Sequence, residues 1–155
     1  MEFSLDKTDL LILEHMQENA RISNVELARS LEMAPSAVLE RVRKLEQKKV
    51  ITGYTTGILP AAVDQKLLAF IFIRAADGLG SSQTGRQLAE IPEVQEVHHV
   101  AGEDCYLVKV RTTDAASLMA LMRNQLSRIP HILSTRTTIV LETVKEEQKL
   151  VIPQK

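Results

Sequence analysis

At 155 residues the chain has room for one domain or two small ones, and its 45% apolar content excludes wholesale disorder. A formal net charge of −1 gives no global pull toward polyanions, so any nucleic-acid binding has to come from a local patch. Aromatic residues make up only 3%, too few for the stacked platforms that hold single strands, and the lone Cys105 excludes a disulfide framework or a cysteine metal cluster.

The opening stretch, Met1 to Lys7, lacks the cationic start and apolar core of a secretory signal. No apolar run approaches the roughly 20 residues that a bilayer requires, so the expectation is a soluble, cytoplasmic protein without membrane association. Asp6 to Gln17 then reads as a first helix, with Leu10, Ile12, Leu13 and Met16 on its apolar side and Asp6 as its cap. Ser23 and Glu26 have capping-box spacing for a second helix whose stripe is Leu27, Ala28 and Leu31. Glu32, Met33 and Ala34 make a corner, and Pro35 suits the first position of a third helix. Val38, Val42 and Leu45 give that helix a buried stripe.

Between Arg41 and Lys49 stand five basic residues and one acidic residue, Glu46. A short, sharply started helix that packs on one side and is cationic on another fits the recognition helix of a helix-turn-helix. The alternative is a helical hairpin whose charges are merely solvated. On the first reading Ser36, Ala37, Glu40 and Arg41 are candidates for base edges, and Lys44 and Lys48 for phosphates. Val50 to Thr56, rich in β-branched residues, reads as a strand. Gly57 to Pro60 punctuates the chain there, which places the domain boundary between residues 59 and 60.

The second half repeats itself. Ile73-Arg74-Ala75-Ala76-Asp77 is matched by Val110-Arg111-Thr112-Thr113-Asp114, 37 positions on, and Ile91-Pro92-Glu93-Val94 by Ile129-Pro130-His131-Ile132, 38 positions on. Each copy reads strand, helix, proline corner, strand. The strands are Leu67–Arg74, Val94–Val100, Cys105–Thr112 and Ile132–Leu141, and the helices Ser82–Glu90 and Ala115–Arg128. Two such units give the ferredoxin-like βαββαβ fold. The run Leu67 to Ile73 is apolar on both strand faces, so something has to cover the face opposite the helices. A second copy of the domain is the simplest cover, and a homodimer would also pair two recognition helices on a palindromic operator.

Taken together, the chain resembles the Lrp/AsnC (leucine-responsive/asparagine-regulator, feast/famine) transcription factors. The resemblance rests on Leu5-Asp6-Lys7-Thr8-Asp9, the run Arg21 to Ala28, Pro35-Ser36, the run Arg41 to Glu46, Val50 to Tyr54, and the run Val100 to Val110. It implies an α+β chain: an N-terminal winged helix-turn-helix over 1–59 that binds double-stranded DNA, then a ferredoxin-like domain over 60–155 for amino-acid binding and dimerisation. It further implies dimers that assemble to octamers and an effector site between dimers near Ala101-Gly102-Glu103-Asp104. In that loop Gly102 would let backbone approach a ligand and Asp104 would pair with an α-ammonium, while Thr135 and Thr137 would offer hydroxyls. The plain alternative is a solvated hairpin turn beside ordinary strand threonines.

Four positions depart from the family pattern. Ala34 stands where many relatives cap the recognition helix with serine, Glu32 where glycine is common, Glu40 where a basic or neutral residue is frequent, and Cys105 where the effector loop often has aspartate. Glu40 could accept from a cytosine amino group or simply repel phosphates. His98 and His99 are neighbours on one strand and point to opposite faces, so they do not chelate a metal together. With no phosphate-binding glycine loop and no nucleophile motif, neither catalysis nor a cofactor is expected. Two other classes of function fit the same features: an architectural DNA-binding protein without effector, and an amino-acid-sensing subunit of a metabolic enzyme.

Overall fold

The computed structural model describes residues 3–77 and 81–154; Met1 and Glu2 of the N-terminal stretch, residues 78–80 and Lys155 lie outside them. By contacts the chain divides into two units: Met1–Gly57 with Glu146–Lys155, and Ile58–Lys145. The chain therefore passes between the units twice, and the C-terminal tail belongs to the first.

The first unit is built on three helices: α1 (Lys7–Glu18), α2 (Asn24–Ser30) and α3 (Pro35–Gln47). Both of the first two start in reciprocal capping boxes. Asp6 accepts from the Asp9 amide at 2.8 Å while Asp9 accepts from the Asp6 amide at 3.3 Å, and Ser23 and Glu26 do the same at 3.1 and 3.3 Å. The corner after α2 is turned by Glu32 at φ 52°, the left-handed region that costs a residue with a Cβ. Ala34 gives α3 no side-chain cap, and Pro35 stands at its start. A brace comes instead from Asn24, whose side-chain amide donates to the Pro35 carbonyl at 2.8 Å. Ile12, Leu27, Ala28, Val38 and Leu45 form the core, with Leu13, Met16, Val42 and Ile51 packed around it.

The expected strand at Val50–Thr56 does not form. A strand exists only as part of a ladder, and no other strand of the described residues pairs with it. Its first amides go instead to the end of α3: those of Val50 and Ile51 donate to the Leu45 carbonyl at 2.9 and 3.2 Å, behind Lys49 in a left-handed cap at φ 58°. Tyr54 reaches back to donate to Glu46 at 2.7 Å, and burial together with that carboxylate pushes its phenol up to about 12. The tail docks on α1. Gln17 exchanges two hydrogen bonds with the Leu150 backbone at 2.8 and 2.9 Å, and Lys149 pairs with Glu18.

The second unit contains β1 (Leu67–Ala75), α4 (Gln83–Ala89), β2 (Val94–His99), β3 (Tyr106–Thr112), α5 (Ala115–Asn124) and β4 (Ile132–Ile139). The sheet runs β2-β3-β1-β4 with every neighbouring pair antiparallel, the ferredoxin-like arrangement expected from the repeat. The last helix is shorter than expected: α5 stops at Asn124 and Leu126–Arg128 continues as a 3-10 turn. Ala69, Ile71 and Ile73 of β1 and Val108 and Val110 of β3 face the helices and are buried against Leu88, Leu118 and Leu121. The opposite face carries Phe70, Phe72 and Leu107, each partly exposed. Asp77 ties the top of β1 to α4 and β3. It accepts from the Thr84 hydroxyl at 2.5 Å and the Tyr106 hydroxyl at 3.0 Å, and these donors, Thr84 first, hold its carboxyl below the ordinary range. The Tyr106 ring leaves no room beside Gly85, where an added Cβ would lie 2.8 Å from Cε1.

Candidate nucleic-acid and effector sites

The buried stripe of α3 decides which residues it presents outward. Val38 and Leu45 are buried, and by helical period the opposite side carries Ser36, Glu40, Arg43 and Gln47, all exposed. The residues anticipated from charge and position distribute unevenly around this axis. Ser36 and Glu40 lie on the outward face, and Lys44 flanks it, ion-paired to Glu40 at 2.8 Å. That lysine holds the Glu40 carboxyl below the ordinary range. Ala37, Arg41 and Lys48 turn toward α1, where with Leu5, Asp9 and Met33 they line a cleft of about 410 Å³ whose edge Glu40 and Lys44 also reach.

Arg41 is held in place there. One of its terminal nitrogens lies 2.8 Å from both Asp6 and Asp9, the two carboxylates of the α1 capping box. The guanidinium thus closes a ring of charge: Asp6 is pulled below the ordinary carboxylate range by the Asp9 amide and then by Arg41, and Arg41 is pushed up by Asp6 and Asp9. Arg43 and Gln47, outside the set expected from charge and position, share the outward face that the phase of Val38 and Leu45 defines. Among the described residues Arg43 has no ion pair.

In the second unit Ala101, Gly102, Glu103 and Asp104 form the bend between β2 and β3. Gly102 is needed for its φ of 128° and not for space, since a Cβ there would meet nothing within 4 Å. Asp104 accepts from Arg136 at 3.0 Å, and the Arg136 guanidinium sits 4.2 Å above the centre of the Phe72 ring. Arg136 was not anticipated. Its position follows from register, which sets it beside Phe72 on the outer face. Thr135 and Thr137 pair with Ile73 and Ile71 and so lie on the helix side of the sheet, where the Thr137 hydroxyl donates to the Met122 sulfur at 3.7 Å. Within one chain, then, the loop and the two threonines are on opposite faces. The Cys105 thiol is half-buried and donates to the Ala75 carbonyl at 3.4 Å. His99 stacks on Tyr106 with ring centres 5.0 Å apart, while His98 lies 3.3 Å from Glu96. Among the described residues no group of three histidine, cysteine or acidic side chains is placed to hold a metal, and no helix is long and apolar enough to cross a membrane.

Two family models match the chain: a winged helix-turn-helix DNA-binding domain over residues 5–52 and the Lrp/AsnC ligand-binding domain over 68–150. The leucine-responsive regulatory proteins of Escherichia coli K12 and Salmonella typhimurium are each 39% identical over 150 residues, 96% of this chain and 92% of theirs. Among solved structures, the feast or famine regulatory protein of Mycobacterium tuberculosis complexed with L-methionine superposes with a TM-score of 0.88 at 33% identity, over 97% of this chain and 100% of that one. A transcriptional regulator of Neisseria meningitidis in complex with L-methionine gives 0.87 at 28%, over 96% and 97%. A three-helix unit that presents a polar face of α3, followed by a ferredoxin-like ligand-binding unit, thus agrees in order and extent with these relatives: the chain belongs to the Lrp/AsnC family and is an effector-modulated DNA-binding transcriptional regulator.

Proposed function

We propose that the effector is a free amino acid, that the regulator works as a homodimer assembling to an octamer, and that it acts in the cytoplasm without catalysing a reaction. The observation that carries the effector reading is the match of residues 68–150 to a ligand-binding domain whose solved neighbours include two methionine complexes. The loop at 101–104 supports it chemically. Asp104 and Arg136 form an exposed pair of opposite charges, and a zwitterion inserted between them offers an ammonium to one and a carboxylate to the other. Thr135 lies on the other face, so its hydroxyl serves a loop-bound ligand only when it comes from a neighbouring copy. That geometry favours a site completed by assembly. The dimer reading rests on the outer face of the sheet, where Phe70, Phe72 and Leu107 stay partly exposed. On DNA, Ser36 and Glu40 face bases while Lys44 and Lys48 neutralise phosphates.

Isothermal titration of the full protein with methionine, and then with each other amino acid, tests the effector. One amino acid should bind the parent and bind Asp104→Asn at least tenfold more weakly, with Lys48→Ala unchanged. Failure of every amino acid at millimolar concentration would overturn the reading. Sedimentation of the same samples tests assembly, and a monomer at micromolar concentration would contradict it.

A further inference from the structure

We infer that Arg43, and not Arg41, is the residue of α3 that selects a base, and that the base is a guanine. The inference deepens the DNA-binding reading and rests on it. Arg41 has the sequence position of a base reader, but its guanidinium lies 2.8 Å from two carboxylates on α1 and its side chain is only 33% exposed. Bringing it to DNA would strand Asp6 and Asp9 as uncompensated negative charges beside a polyanion. Arg41 is therefore a positioning residue. It braces α3 against α1 by binding the capping box, while the buried Val38 and Leu45 set the rotation of the helix.

That rotation aims the next cation outward. Arg43 lies two residues on, which in a helix turns its side chain to a different side, in line with Ser36, Glu40 and Gln47. The acidic neighbour on that face, Glu40, is occupied by Lys44, and Arg43 has no ion pair among the described residues. A free guanidinium presents a planar donor fork that matches O6 and N7 of guanine in the major groove, where a recognition helix lies. Gln47, one turn further on the same face, has the amide that pairs with adenine. The arrangement predicts a half-site in which the Arg43 position is guanine and the adjoining readers are Glu40 and Gln47.

The test is selection of bound sequences from a randomised duplex pool by the full-length parent, Arg43→Ala and Arg41→Ala, with salt titrations on the selected site. The parent should enrich a motif with one guanine fixed in each half-site. Arg43→Ala should lose at least ~10-fold in discrimination at that position while the slope of affinity against salt stays the same. Arg41→Ala should keep both the motif and the salt slope while its first unit melts earlier. An Arg43→Ala protein that keeps the motif and shows a slope smaller by about one ion would make Arg43 a phosphate contact and overturn the assignment. Loss of a motif position in Arg41→Ala alone would overturn it as well. A parent that binds no duplex would refute the DNA-binding reading itself, a result distinct from either of these.

Discussion

The two units use charge in different ways. In the first, ion pairs are part of the scaffold: the core around Ile12 and Val38 is small, and Arg41 with Asp6 and Asp9 locks α1 to α3 beside it. In the second, a larger core of Ile71, Ile73, Val108 and Leu88 sets the geometry, and the Asp104–Arg136 pair stays exposed outside it. The same side-chain chemistry is structural in one place and accessible in the other. The difference lies in what surrounds it. An arginine between two carboxylates fixed by a capping box cannot leave without stranding both charges, whereas an exposed pair on a sheet face can exchange partners at small cost.

The largest effects are expected at the two cores. Ile71→Ala and Ile12→Ala each remove a side chain with 0% exposure and should each cost about 2–5 kcal/mol. Followed by hydrogen exchange, Ile12→Ala should loosen α1–α3 and weaken DNA binding. Ile71→Ala should loosen the sheet and leave helix protection in the first unit intact. Equal loosening of both units by either variant would show that they do not fold as separate bodies. A somewhat smaller effect is expected at Gly85→Ala, where a Cβ 2.8 Å from the Tyr106 ring should destabilise the second unit by about 1–3 kcal/mol in chemical denaturation.

At Asp77 the stability of the second unit responds to pH. Its native carboxyl value lies below the unfolded one, so its contribution is complete above the ordinary carboxylate range and is lost as pH falls through the lowered native value. The second unit of the parent should therefore lose stability on acidification, and Asp77→Asn should start less stable at neutral pH and lose less. The smallest effects are gains in the first unit. Glu32→Gly relieves a left-handed residue and Ala34→Ser supplies the missing cap of α3, each by about 1 kcal/mol in thermal melts.

Much of this architecture was legible in the residues. Apolar spacing located α1, α2 and α3, because helical period is local, and the repeat of Ile73–Asp77 in Val110–Asp114 located the βαββαβ order, because similar segments fold into similar units. The strand expected at Val50–Thr56 failed for a physical reason: β-branched composition makes a segment extended, but pairing takes a partner. On α3 a count of cations does not separate Arg41, ion-paired to α1, from Arg43, exposed on the outward face; the phase of Val38 and Leu45 does. The Asp104–Arg136 pair was not legible, since it depends on the register that sets Phe72 beside Arg136 across two strands far apart in sequence. The same register, unavailable from alternation alone, turned Thr135 and Thr137 to the helix side.

An effector bound in the second unit should change what the first unit does on DNA. Fluorescence anisotropy of the full protein on its own upstream DNA, at two salt concentrations and with or without a mixture of all amino acids, tests it directly. Salt-sensitive binding whose affinity or stoichiometry shifts with the mixture is expected. Tight binding that is indifferent to every amino acid would make this chain an architectural DNA-binding protein, and no binding at low salt would contradict regulation through DNA altogether.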